Sequence, residues 1–224
     1  MKEVAGYFIH KDNLLEGDAG FAYNYIMAGN GVYIHAFNDF LTALIPISNV
    51  EIRGLTSPEP FVKLHYGKIP SRIFETVVNS AKTMDSTEVY YAITWNGEYK
   101  VWRPVQTGVE SKVTYHPMAN TVVGLHSHPA FAGCFSSDDD RDEQGFRLDV
   151  VIGRLNTIPE VSVRVGVYGY FWPLPWTQVF EGSLQGIYDM NGDIKQEVGN
   201  DLPVECELRQ NNPGRRWWNR ILRR

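Results

Sequence analysis

The chain lacks the features of a secreted, disulfide-built or membrane-spanning protein. It has two cysteines in 224 residues, Cys134 and Cys206, too few for a disulfide framework, and a reducing compartment is the simplest setting. No apolar run approaches the roughly 20 residues that a spanning helix needs. The first twenty residues carry no basic start followed by an apolar stretch, which argues against a signal peptide. Together these absences predict a cytoplasmic protein. Internal repeats and low-complexity tracts are missing too, and no histidine follows His128.

Apolar residues make up 43% of the chain, enough to bury a core and to exclude wholesale disorder. Aromatics reach 13%, with Tyr and Phe in short alternating runs that favour strands. The length suits one ordinary domain with an appended piece, or two small domains. The formal charge of −5 is unevenly spread. Arg215, Arg216, Arg220, Arg223 and Arg224 crowd the last ten residues; without them 16 basic residues face 26 acidic ones, a net −10. An acidic body is a poor nucleic-acid surface.

Three Asn-Gly pairs, at Asn30-Gly31, Asn96-Gly97 and Asn191-Gly192, each lie between potential strands and favour tight hairpins. The first joins Phe21–Met27 to Val32–Phe37, and Leu44–Ile52 and Phe61–Tyr66 are further extended candidates. Residues 1–66 therefore read as a small β-rich unit. Ile73, Phe74, Val77, Val78, Ala81 and Met84 recur at helical spacing, which predicts a helix over 71–84 with Ser71 as N-cap. Strands follow at Glu88–Trp95, Tyr99–Arg103, Thr121–Leu125, Leu148–Ile152 and Val161–Phe171. This order describes an α/β or α+β domain, a mixed sheet flanked by helices, over residues 67–182. Residues 183–224 form a third segment, a hairpin and a basic Trp/Arg tail.

The informative stretch is GLHSHPAFAGCFSSDDD, from Gly124 to Asp140. His126 and His128 stand two apart at a strand end, so both side chains leave the same face. Pro129 stops the strand. A seven-residue loop to Ser136 is long enough to fold back, so that Asp139 joins the imidazoles around one ion. Two nitrogens and one carboxylate leave a fourth tetrahedral position open, as in catalytic zinc sites. Plainer readings exist: strand-end histidines are often surface residues, and Ser136 with Asp139 also matches a capping box. Those readings explain the pieces but not their conjunction. Ser137 with Asp140 offers the same spacing shifted by one.

The run His126-Ser127-His128-Pro129 with Ser136 and Asp139 resembles the signature of the JAMM (MPN-plus) zinc metalloproteases, and the order of elements over residues 67–182 is similar too. The resemblance implies a curved mixed sheet between helices and one Zn2+ held by His126, His128 and Asp139. It implies that Ser136 supports the reacting oxyanion, and that a glutamate on a strand before the histidines shuttles protons. Glu88, which directly follows the helix 38 residues before His126, is the position of choice; Glu98 competes, and Glu75 sits within the helix. The implied activity is a peptidase or isopeptidase acting at the C-terminus of a ubiquitin-like protein or its conjugate. The whole chain further resembles the JAMM-like proteins of PRTRC systems, found beside ubiquitin-activation-like genes, which implies activating-enzyme-like partners.

Two other classes compete. Metal-free relatives of this fold act as protein-binding scaffolds, but the complete ligand set argues against that here. Another metal-dependent hydrolase with a His-x-His pair would need later histidine ligands that the chain does not have. The tail, where Trp217, Trp218, Ile221 and Leu222 share a helical stripe, suits an acidic partner, a membrane or nucleic acid, or packing on the body.

Overall fold

Alternation along the strands of two sheets decides what each face of the molecule does. A computed structural model describes residues 3–84 and 86–192. The first sheet contains β1 (Ala5–Lys11), β2 (Leu14–Asp18), β3 (Tyr23–Ala28), β4 (Gly31–Phe37), β5 (Leu41–Asn49) and β6 (Phe61–Leu64), in the order β2-β1-β3-β4-β5-β6. The expected β3–β4 hairpin forms, but its turn falls on Gly29-Asn30; Gly31 opens β4 opposite Ala28, with φ 150°, and a Cβ there would run into the Ser48 carbonyl oxygen. β5 starts earlier than the sequence pattern suggests. Asn38 Oδ1 accepts from the backbone of Phe40 (2.8 Å) and Leu41 (3.0 Å), tightening the preceding turn. β1 and β2, which the sequence did not announce, turn at Asp12-Asn13 with φ 52° and 61°. Asp and Asn tolerate that left-handed backbone, though less obviously than Asn-Gly.

Helix α1 (Ser71–Lys82) buries Ile73, Phe74, Val77, Val78 and Ala81, the stripe its spacing predicts. Ser71 is not its cap. Pro70 holds that position with no side-chain hydrogen bond, and Ser71 is the first helical residue. Thr83 closes the helix, so Met84 lies just beyond it.

The second sheet is built from β7 (Tyr90–Trp95), β8 (Tyr99–Trp102), β11 (Thr121–His128), β12 (Phe146–Gly153), β13 (Glu160–Val167) and β14 (Tyr170–Leu174). Its order is β14-β13-β12-β11-β7-β8, and β15 (Tyr188–Asp189) also pairs with β13. β11 runs parallel to β12 and β15 parallel to β13, while the other pairs are antiparallel, so the sheet is mixed. A separate hairpin, β9 (Gln106–Val109) with β10 (Lys112–Tyr115), lies in a stretch without strand patterning. The remaining helices are short: α2 (Ser137–Asp142) and α3 (Trp176–Val179). The result is a mixed α/β fold made mostly of strands, with fewer helices flanking the sheet than expected.

A further difference concerns the chain after residue 160. The expected strand Val161–Phe171 is two strands, because Tyr168 and Gly169 take φ 48° and 90° and reverse the chain. The stretch Trp172–Trp176 finishes β14 and starts α3, with Trp176 1% exposed. At Asn191-Gly192 the Asn191 amide donates to the carbonyls of Val163 (2.7 Å) and Leu174 (3.1 Å). The rest of that expected hairpin and the arginine-tryptophan tail lie outside the described residues. No described helix is long and apolar enough to cross a membrane.

One apolar cluster joins the two sheets. Val123 and Leu125 of β11, Leu148, Val150 and Ile152 of β12, and the alternate valines of β13 share it with α1. Ile34, Ala36, Leu41, Ala43 and Ile45 of the first sheet complete it. The intervening residues of the same strands, among them Tyr90, His126, His128, Asp149 and Arg164, alternate with the core positions and so project from the opposite face.

Candidate metal centre

β11 ends at His128, where Pro129 takes over, and His126 and His128 share its outer face. Ser127 points the other way. Its hydroxyl accepts from Val89 N (3.1 Å) while its own N donates to the Val89 carbonyl (3.0 Å), tying the histidine strand to the segment that bears Glu88. The loop from Pro129 is fastened over the end of β12: Leu155 N donates to Pro129 O (3.1 Å), Arg154 N to Phe131 O (2.8 Å), and Gly133 N to Glu160 Oε2 (3.0 Å). It delivers Ser136 as the N-cap of α2. Asp139 N donates to Ser136 Oγ (3.2 Å), and Ser136 N donates to Asp139 Oδ2 (2.6 Å), a reciprocal capping box. The plain reading of this pair is therefore real, and it also aims Asp139.

His126 Nε2 lies 3.1 Å from His128 Nε2 and 3.2 Å from Asp139 Oδ1; His128 Nε2 lies 4.0 Å from Asp139 Oδ2. Ligands about 2.1 Å from an ion at tetrahedral angles stand about 3.4 Å apart, so these spacings suit one small cation. The ring nitrogens facing away are backed by acceptors. His128 Nδ1 is 3.2 Å from the Ala132 carbonyl, and His126 Nδ1 is 3.6 Å from Glu143 Oε1. The Ala132 carbonyl favours a proton at His128 Nδ1 and leaves its Nε2 to bind metal, while Glu143 stands behind His126 beyond hydrogen-bond distance. Both histidines are buried, and His126, His128 and Asp139 can hold a metal ion. Among the described residues, no other set of His, Cys, Asp or Glu is so placed.

The other expected residues fall as follows. Glu88 is buried, with Oε1 3.7 Å from His128 Nε2. It precedes β7 rather than opening it. Glu98 is exposed and pairs with Lys100 at 2.8 Å, and Glu75 is exposed on α1, so neither joins the cluster. Ser136 Oγ donates to Asp139 Oδ2 (2.7 Å). The register shifted by one is not adopted: Asp140 turns to Arg164, and Ser137 is the exposed first residue of α2.

Sequence reasoning missed the charges behind the histidines. Arg147 Nε donates to Asp149 Oδ1 (2.6 Å), and Arg147 Nη2 donates to Tyr115 Oη (3.2 Å). Tyr115 stacks on Tyr90, and Arg164 Nη2 donates to Glu143 Oε2 (2.8 Å). Gly124, beside His126, leaves room for this network, since a Cβ there would meet Tyr90 Oη at 2.9 Å and Asp149 Oδ1 at 3.1 Å. A signal was available, because Arg147, Asp149 and Arg164 alternate with core residues in strands otherwise rich in valine and leucine.

The charges do not balance. Glu88, Asp139, Asp140, Glu143 and Asp149 supply five carboxylates against the guanidiniums of Arg147 and Arg164, an excess of three negative charges. Protons answer part of that excess. Burial, reinforced by Asp139 and opposed by His126, pushes the Glu88 carboxyl up to about 7. Burial and then Asp149 push Glu143 up to about 7, against His126 and Arg164. Burial disfavours charge on His126, but Asp139, Glu143 and Glu88 outweigh it and raise the imidazole to about 9. Asp139 is held well below the usual carboxylate range: burial opposes ionisation, while His126 and the Ser136 hydrogen bonds prevail. A divalent cation would offset most of the excess directly. The donor set and the electrostatics therefore both fit a metal.

The fold and site define a mixed α/β protein with a His126-His128-Asp139 cluster that could hold a metal ion. No protein-family model matches the chain, and no curated protein matches it.

Proposed function

We propose that this chain is a zinc-dependent peptidase or isopeptidase of the JAMM (MPN-plus) type. The observation that carries the reading is the convergence of His126, His128 and Asp139, with the buried Glu88 carboxylate 3.7 Å from His128. The order of elements supports it: helix α1, the β7–β8 hairpin, the histidine strand β11, and a capped helix α2 bearing the acidic ligand.

His126 and His128 would give Nε2 and Asp139 a carboxylate oxygen to the ion. When bound there, zinc supplies Lewis acidity, polarising a carbonyl and making water acidic near neutral pH. Glu88, its carboxyl held at about 7, is matched to take the proton of the attacking water. As the C–N bond breaks, Glu88 returns that proton to the departing nitrogen. The Ser136 hydroxyl is the donor assigned to the developing oxyanion, a role that requires its one proton to turn away from Asp139 Oδ2, where it is donated in the free site. The products are a carboxylic acid and an amine.

The substrate in this reading is a ubiquitin-like protein, extended at its C-terminus or joined there to a lysine, with activating-enzyme-like proteins as partners. The test is incubation of the zinc-loaded chain with such substrates, with cleavage sites located by mass spectrometry. Cleavage after the ubiquitin-like C-terminal residue, abolished by chelation, is expected. Substrates left intact by a chain that carries zinc would contradict the reading.

A further inference from the structure

Helix α2 carries one of the three candidate ligands but has little to hold it. It is six residues long, buries none of them, and is too short to be stable by itself. Its capping box and the Arg141–Asp138 pair are internal to residues 136–142 and fix nothing to the body. Apart from the contact of Asp139 itself with His126 (3.2 Å) and a longer approach of Arg147 to Glu143 (3.9 Å), the tie to the body comes from β13, two strands away from His126. There the Arg164 guanidinium, 7% exposed, donates through Nη1 to Asp140 Oδ1 and through Nη2 to Glu143 Oε2 (2.8 Å). Those two carboxylates sit one and four residues after Asp139. The guanidinium also lies between two rings, 3.7 Å from the centroid of Phe135, next to the cap Ser136, and 3.8 Å from that of Phe171 on β14.

We propose that Arg164 is a positioning residue, clamping α2 to the sheet so that Asp139 meets the two histidines. The same clamp aims Glu143. With Oε2 held by Arg164, its Oε1 stands 3.6 Å from His126 Nδ1, behind the metal-facing nitrogen. Lysine cannot reproduce this, because one ammonium has neither the planar fork for two carboxylates nor the flat face for two rings. The consequence for metal affinity rests on the metal reading above; the clamp itself does not.

The test compares the full chain with Arg164→Lys and Asp140→Asn. In metal-free protein, amide hydrogen exchange followed by mass spectrometry is expected to quicken over residues 136–143 in both variants, with the rest of the second sheet unchanged. The zinc Kd, measured by competition with a chromophoric chelator, is expected to weaken roughly 10–100-fold in Arg164→Lys, the range for lost supporting contacts around a metal. A smaller loss is expected in Asp140→Asn, which keeps the Glu143 arm. If Arg164→Lys does not melt cooperatively, Asp140→Asn, altered at a partly exposed group, decides alone. Unchanged exchange over 136–143, or a wild-type zinc Kd in the folded variants, overturns the proposal. A wild-type chain that binds no zinc refutes the proposed function, and the exchange result still judges the clamp.

Discussion

The two sheets follow the same two-residue alternation and put it to different uses. The first packs both faces: Ile34, Ala36 and Ile45 enter the main core, while Ile26, Ala28, Tyr33 and Leu44 form a smaller cluster with Phe8. The second packs one face and fills the other with histidines, carboxylates and guanidiniums that are buried as well. Burying such charges costs several kcal/mol per ion before pairing offsets it, and well-packed apolar residues would often serve stability better. A sheet built only for stability would look like the first. The second retains costly groups where they converge on one point, which is how a site differs from a core.

That contrast can be broken from either face. Glu88→Gln keeps shape and removes the carboxylate. It is expected to leave zinc content intact and lower kcat roughly 10²–10⁴-fold, and cleavage at the wild-type rate would remove Glu88 from the chemistry. On the opposite face of β11, Leu125→Ala opens the core and is expected to cost about 2–5 kcal/mol in urea unfolding. Zinc per folded chain should stay at the wild-type value; if it falls with stability, the two faces are not separable.

Acidity sharpens the comparison further. His126, at about 9 in the metal-free site, must lose its proton to bind zinc, whereas Asp139 is already ionised. Zinc affinity should therefore rise with pH up to about 9, by as much as about tenfold per unit for one displaced proton. Titrations at several pH values check this, and a flat profile from pH 6 to 9 would contradict the hold of Asp139, Glu143 and Glu88 on the His126 proton. The smallest effect is expected at Glu98→Ala. That group is exposed and paired with Lys100, so metal content and cleavage should match wild type.

Much of the local structure was legible in the residues. The β3–β4 hairpin, with its turn one residue earlier than the Asn30-Gly31 pair, the Asn96-Gly97 turn, the stripe of α1 and the histidine strand all rest on short-range rules, and the structure contains them. The capping box at Ser136 was readable for the same reason. The hairpin 106–115 was not, because its strands are four residues each and lack a strong apolar alternation. Nor was the splitting of β13 from β14, since Tyr168 adopts a positive φ that tyrosine rarely takes. The charged network escaped notice because its members come from α2, β12 and β13, and only sheet registry, such as Asp149 opposite Arg164, brings them together.

The most direct measurement is a calorimetric titration of the metal-free chain with zinc, run beside Asp139→Ala and His126→Ala. The account predicts one ion per wild-type chain and no high-affinity binding in either folded variant. Full-affinity binding that survives both substitutions, or a wild-type chain that takes up no zinc, would contradict it.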